Sequence, residues 1–135
     1  MSFARTEDLA PSEVVAALVY LVDRPYLLAD AQKMHRAIMM ARDVCPLLKR
    51  FGFSSTGPVP ISRSFDEALG ILKLSRIVKM ENTDYLRYYV DEAAKRYVSS
   101  EILPRLSAGD RESLESAAAI VREACEASAV PAVAV

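Results

Sequence analysis

Apolar residues recur every three or four positions in two long stretches of the first half of the chain. This spacing places them on one face of an α-helix. The first predicted helix spans residues 11–23, because Pro11 suits a first helical turn and Arg24, which precedes Pro25, is pushed out of the α region. The second predicted helix follows Asp30, a good N-cap, and Pro46 is expected to kink or end it, with a last turn through Leu47 and Leu48.

A third helix follows a loop at residues 51–60, where serine, glycine and proline cluster. Either Ser62 or Ser64 can cap its start. Its inward face is predicted from an i, i+3, i+4, i+7 pattern formed by Phe65, Ala68, Leu69 and Leu72. Its outward face is predicted to hold Arg63, Asp66, Glu67, Gly70 and Lys73.

Two short tracts rich in β-branched and aromatic residues come next, at 77–80 and 85–90. They predict two strands joined by the polar turn 81–84. Because two strands alone are marginally stable, we expect this hairpin to pack on Leu69 and Leu72. A helix followed by a strand–turn–strand at this spacing is typical of the end of a winged helix-turn-helix.

The last third of the chain predicts two more helices. One spans 91–103 and ends at Pro104, and the other spans 108–127 after a capping signal that starts at Ser107. An apolar tail, 128–135, completes the chain. The pattern therefore predicts a single mainly α domain over 1–135, winged helix-turn-helix-like, with about five helices and one β-hairpin.

Composition narrows the function classes only slightly. Hydrophobic residues make up 52% of the 135 positions, which suits a globular helical domain, and the net charge of −1 gives no overall attraction to nucleic acid. No apolar run approaches the ~20 residues of a membrane span, and the start of the chain lacks the pattern of a secretory signal. Cys45 and Cys125 match no metal-binding spacing, so we expect free thiols and a cytoplasmic location without membrane contact.

Three segments share a pattern with a known family. They are Lys33–Met40 in the second helix, Phe51-Gly52-Phe53 with Gly57-Pro58 in the loop, and Leu69-x-x-Leu72 with Arg76-Ile77-Val78. On these residues the chain resembles, between positions 12 and 120, the Panacea antitoxin domain of SocA-like, phage-associated proteins. It departs from that family at Met34-His35 and at Val59-Pro60. The resemblance implies a compact helical domain with winged-helix character that acts as an antitoxin or adaptor through protein contacts.

Candidate catalytic chemistry is sparse. His35 is the only histidine, and helical spacing brings Met39 and Arg42 beside it, neither of which is a hard metal ligand. We therefore expect a structural histidine on the surface or half-buried. Asp66 and Glu67 are adjacent, so they diverge on a helix and are expected to be solvated. The chain also lacks a glycine-rich phosphate loop and a nucleophile elbow, so we expect neither an enzyme nor a bound cofactor or metal.

Two kinds of partner suit the third helix and the wing. On DNA the helix would enter the major groove and the hairpin would contact phosphates. The basic candidates for these contacts are Arg63, Lys73, Arg76, Lys79 and Arg87. Asp66 and Glu67 share the helix surface with Arg63 and would oppose phosphates, whereas the tyrosines Tyr85 and Tyr89 suit a protein contact. We expect an antitoxin-like or adaptor protein, and the alternative is a dimeric winged-helix DNA-binding transcriptional regulator.

The last helix leaves two arrangements open. One of its sides carries mostly small residues, namely Leu114, Ala117, Ala118, Val121, Ala124 and Cys125. Small residues permit close approach of two helices. This side either packs within the domain or forms a two-fold homodimer seam. The apolar tail is expected to pack on its own domain or on a neighbour.

Overall fold

The structure is a computed structural model that describes residues 9–28, 30–54, 57, 60–82 and 86–125. Within these ranges the regular elements are α1 (Pro11–Val22), β1 (Leu27–Leu28), α2 (Ala31–Ala41), α3 (Arg63–Leu74), β2 (Lys79–Asn82), β3 (Leu86–Tyr89), α4 (Glu92–Tyr97) and α5 (Ala108–Cys125). Short 3₁₀ helices at Pro46–Arg50 and Leu103–Arg105 and a π-helical turn at Val98–Ile102 join them. The mainly α fold with one β-hairpin is thus confirmed. The polar turn was predicted at 81–84, but Glu81 and Asn82 belong to β2. Residues 83–85 and the tail 128–135 lie outside the described residues.

The predicted helix caps are present. The Asp30 carboxylate accepts a hydrogen bond from Lys33 N at 3.1 Å, and the Ser62 hydroxyl accepts one from Phe65 N at 3.2 Å. Each satisfies a backbone N–H that the first turn of a helix would leave without a partner. The second helix, however, ends at Ala41 rather than at Pro46. Cys45 precedes that proline and is extended, so the chain has to leave the helix earlier.

The sheet has three strands rather than the two predicted. β3 lies in the middle, with β1 and β2 antiparallel on either side, and Leu27 pairs with Tyr88 while Lys79 pairs with Tyr89. Two leucines are too short a run to predict β1 from sequence. The elements follow one another as a helix, a strand, two helices and a hairpin, and the first strand pairs with the last. This is the arrangement of a winged helix-turn-helix.

β2 begins two residues later than predicted because the preceding residues close the end of α3. Arg76 has a left-handed backbone, with φ 62°. The N–H groups of Ile77 and Val78 then donate to the Leu72 carbonyl at 3.0 and 3.2 Å. These bonds satisfy an otherwise unpartnered carbonyl at the helix end, in the manner of a left-handed C-terminal cap. Residues 77 and 78 are consequently unavailable for pairing with β3.

The core lies where α1, α3 and α5 meet beneath the sheet. α1 packs against both α3 and α5, and α5 also packs against α2. Leu69 and Leu72 are both buried, as predicted. Leu69 lines a small apolar cavity together with Val78, which precedes β2, and Tyr88 of β3, so the hairpin packs on this leucine.

α5 uses its small-residue side within the domain. Leu114, Ala117 and Val121 are buried in the core. Of the two arrangements left open by the sequence, the intramolecular one is therefore present, and this side is not free to form a homodimer seam. Cys45 and Cys125 are both buried free thiols, as predicted.

The predicted fourth helix is broken before Pro104. α4 ends at Tyr97, and the next turn widens so that Leu103 N–H bonds to the Val98 carbonyl, five residues back. Proline has no N–H and its ring clashes with the carbonyl four residues earlier. Widening the helix avoids that clash while keeping Val98 and Ile102 buried.

Two leucines two residues apart in α3 provide a test of this packing. Leu72 is 1% exposed and Leu74 is 87% exposed. We expect Leu72→Ala to lower the free energy of unfolding by about 2–5 kcal/mol, because it leaves a cavity in the core. We expect Leu74→Ala to change it by less than about 0.5 kcal/mol. Urea denaturation followed by circular dichroism measures both, and equal losses would contradict the orientation of α3.

Candidate partner-binding surface on the third helix and wing

The start of α3 is held against α2 by His35. The Ser62 N–H donates to His35 Nδ1 at 2.9 Å, and His35 Nε2 lies 2.9 Å from an Asp66 carboxylate oxygen. Since Nδ1 accepts, the hydrogen of the neutral imidazole lies on Nε2 and is donated to Asp66. The ring also makes edge-on contacts with Phe53 and Phe65. His35 is 3% exposed, so the expectation of a surface or half-buried histidine was wrong.

Ser62, His35 and Asp66 therefore lie close together, but they do not form a nucleophilic triad. The Ser62 hydroxyl contacts Phe65 N–H and the Ser64 hydroxyl, while only the backbone N–H of Ser62 reaches the imidazole. Nucleophilic activation needs the hydroxyl itself within hydrogen-bond reach of the base. The cluster instead fixes the first turn of α3. Asp66, expected to be solvated, keeps 59% of its side chain exposed and also takes part in this cluster.

Two of the predicted DNA contacts, Lys79 and Arg87, are engaged on the outer face of the sheet. The Arg87 guanidinium bonds to a Glu81 carboxylate oxygen at 2.9 Å and lies 3.8 Å from the centre of the Tyr26 ring. Its side chain is only 11% exposed. The Lys79 ammonium bonds to the Asp91 carboxylate. A carboxylate already offsets the charge of each cation, which weakens its attraction for a phosphate.

Lys79 also affects the titration of its partner. Its hydrogen bond lowers the pKa of Asp91 below the usual 3.8, and the backbone N–H of Ala94, which Asp91 caps, lowers it further. Both interactions favour the ionised carboxylate.

The other three basic candidates lie at opposite ends of α3. Lys73 lies 5.7 Å from the centre of the Tyr88 ring, and Arg76 is exposed at the turn after α3. Both line a groove of about 430 Å³ that Lys79 also borders. Arg63 lies at the other end of α3, which at 1.5 Å per residue is about 15 Å from Lys73 along the axis. Asp66 and the exposed Glu67 interrupt the positive charge between them.

The outer face of α3 carries apolar side chains that the sequence interpretation missed. Ile71 is 53% exposed and Leu74 is 87% exposed. Three residues apart on one helix, they lie side by side. A signal was present in the sequence, because both fall outside the i, i+3, i+4, i+7 stripe that forms the inward face.

The tyrosines contribute less to the surface than predicted. Tyr89 is half-buried and meets the Tyr26 ring edge-on, with 6.1 Å between the ring centres. Tyr88 faces the core, and burial raises its pKa, with a smaller contribution from the charge of Asp66. Tyr97 of α4 is exposed. Tyr85 lies outside the described residues.

The part of the chain that the structure describes contains no group of three or more His, Cys, Asp or Glu side chains able to hold a metal ion. None of its helices has the length and apolar character needed to cross a bilayer. Comparison of the chain with family models, with curated proteins and with solved structures found no match. The candidate binding surface consists of the outer face of α3, the wing and the groove between them.

Replacing His35 tests its role at the start of α3. His35→Phe leaves the buried Ser62 N–H without an acceptor, so we expect a loss of about 1–3 kcal/mol in the free energy of unfolding. Asp66→Asn is the matched control, because its amide oxygen can still accept from Nε2, and its expected cost is below about 1 kcal/mol. Urea denaturation measures stability, and hydrogen exchange of the Ser62 amide reports the bond. An unchanged Ser62 exchange rate in His35→Phe would disprove the contact.

Asp91 provides a test of pH dependence. Because the pKa of the folded state is depressed, the stabilisation is present above the unfolded value of 3.8 and is lost as pH falls through the lower folded value. Asp91→Asn keeps a cap for α4 but removes the charge. We expect the wild type to be more stable than this variant at neutral pH, and the difference to shrink below pH 3.8. Urea midpoints measured across this range check the sign, and a difference independent of pH would contradict it.

Proposed function

We propose that this chain is a protein-binding module, an adaptor or antitoxin-like regulator, that contacts a protein partner through the outer face of α3 and the adjoining wing. The proposal includes a cytoplasmic location, which the two buried free thiols support because reducing compartments keep thiols free. The resemblance to the Panacea antitoxin domain favours the same class of function.

The observation that carries the proposal is the exposed pair Ile71 and Leu74. In a winged helix this helix is the one that DNA-binding members insert into the major groove. Phosphates and base edges favour cationic and hydrogen-bonding side chains there. An exposed apolar pair, flanked by Glu67, instead resembles the apolar centre and polar rim of a protein interface.

The charge distribution supports the same choice. Asp66 and Glu67 lie on α3 between Arg63 and Lys73, where they would repel phosphates. Glu81 and Asp91 already neutralise the two predicted phosphate contacts on the wing. A DNA complex would have to give up these ion pairs or leave the cations out of the interface.

A winged-helix DNA-binding regulator stays the second candidate because of one specific observation. Lys73, Arg76 and Lys79 border the same groove, so three cations lie close together. A cluster of this kind can contact one or two phosphates. It does not extend along α3, as a helix docked in the major groove would require.

The experiment replaces an apolar side chain on the proposed surface. The tagged protein is incubated with extract of its native host, and captured proteins are quantified by mass spectrometry. We expect Leu74→Glu to lower capture of the specific partner at least ~10-fold, since buried anchors dominate interface energies. Met40→Glu is the matched control, because Met40 is 51% exposed on α2, away from α3 and the wing. Capture that is equal in wild type and Leu74→Glu would refute the proposed surface.

A DNA titration separates the two candidates. We expect the protein not to bind a labelled random duplex, so that the fluorescence anisotropy of the duplex does not rise even at low ionic strength. Binding that weakens with salt and disappears in Arg76→Glu would establish the regulator instead.

A further inference from the structure

We propose that the partner supplies an extended acidic segment that occupies the groove beside β2 and adds to that strand as a further strand of the sheet. This inference rests on the proposed function and names the chemistry of the partner. Three features of the groove carry it, namely a free strand edge, an apolar wall and a set of cations.

The free edge belongs to β2. In the sheet order β1-β3-β2, the central strand is paired on both sides, while β2 pairs only with β3 within the described ranges. Alternate N–H and C=O groups of an edge strand point away from the sheet and can bind another strand. Peptides recognised in this way gain affinity from backbone hydrogen bonds and specificity from pockets for alternate side chains.

The groove lies at the beginning of β2. Its lining includes the consecutive residues Val78, Lys79 and Met80, and Tyr89 of the neighbouring strand β3. Met80 is 47% exposed, which leaves apolar surface for a side chain of the incoming strand. A volume of about 430 Å³ is within the usual size of a ligand pocket and accommodates a few side chains.

The charges around the groove have one sign. Its lining contains Lys73, Arg76 and Lys79 and no acidic side chain. Lys79 is held by Asp91, and Lys73 lies over the Tyr88 ring. Arg76 has neither an ion pair nor a hydrogen bond from its guanidinium in the described part of the chain. An acidic segment therefore complements this groove, and Arg76 can bind a carboxylate through two parallel hydrogen bonds.

The backbone fixes where Arg76 stands. Its left-handed conformation, and the bonds from Ile77 and Val78 to the Leu72 carbonyl, tie the turn to the end of α3. The backbone of Arg76 is thus fixed beside the groove before any ligand arrives, while its guanidinium stays unpaired within the described ranges. Fixing the backbone beforehand reduces part of the entropy lost on association.

The test uses three fluorescein-labelled decapeptides and the full-length protein. The first alternates glutamate with valine, the second replaces every glutamate by lysine, and the third keeps the acidic composition but has prolines at alternate valine positions. Proline cannot donate the backbone hydrogen bonds that strand addition requires. We expect the first peptide to bind in fluorescence anisotropy, and the other two to bind at least ~10-fold more weakly.

Two variants locate the site. Arg76→Glu and Lys73→Glu are each expected to weaken binding of the acidic peptide at least ~10-fold, because a like charge then faces it. Arg111→Glu, an exposed arginine at the start of α5, has the same change of charge away from the groove and should leave binding unchanged. Circular dichroism confirms that all three variants are folded.

Three results of the peptide titrations would overturn the inference. The first is no binding of the acidic peptide, which would mean that the lysine on this edge serves to keep other strands away. The second is equal binding of the proline peptide, and the third is equal loss in Arg111→Glu. If the peptide fails while capture of the host partner still depends on Leu74, the proposed function stands and only the acidic strand is refuted. If the protein alone sediments as a dimer and the peptide dissociates it, the edge joins two copies of this chain and the inference also fails.

Discussion

The contact on which the functional surface depends is the pair of hydrogen bonds made by the buried imidazole of His35. One ring nitrogen accepts from the N–H of the residue that caps α3, and the other contacts Asp66 in the first turn of the same helix. A buried N–H without an acceptor is costly, so the ring determines both where α3 starts and how it is turned relative to α2. The outward direction of Ile71 and Leu74, five and eight residues after Asp66, is consistent with that orientation.

The other end of α3 is determined by backbone geometry rather than by a side chain. The left-handed residue Arg76 and the two bonds to the Leu72 carbonyl stop the helix and aim the chain into β2. The same turn has two effects on the surface. It leads the chain from α3 into β2, and it presents a cation beside that strand. The end of the helix and the position of this charge are thus consequences of one local conformation.

Ion pairing decides which of the basic residues are available. Arg87 lies between Glu81 and the Tyr26 ring, and Lys79 is held by Asp91, so the outer face of the wing is nearly neutral. The charges available to a partner are those of the exposed cations that have no ion pair. Because the leftover cations border a groove instead of following α3, the surface suits a short acidic segment better than a continuous line of phosphates.

The sequence by itself determined most of the helices, because helical periodicity, caps such as Asp30 and Ser62 and the stop at Arg24-Pro25 are local properties of the chain. It also determined that Leu69 and Leu72 face the core. The sequence could not reveal β1, since two leucines become a strand only when β3 lies beside them. Nor could it show that His35 is buried, or which cations are paired, because their partners are between 6 and 31 residues away. Tertiary structure decided these points, since burial and ion pairing arise only when distant segments meet.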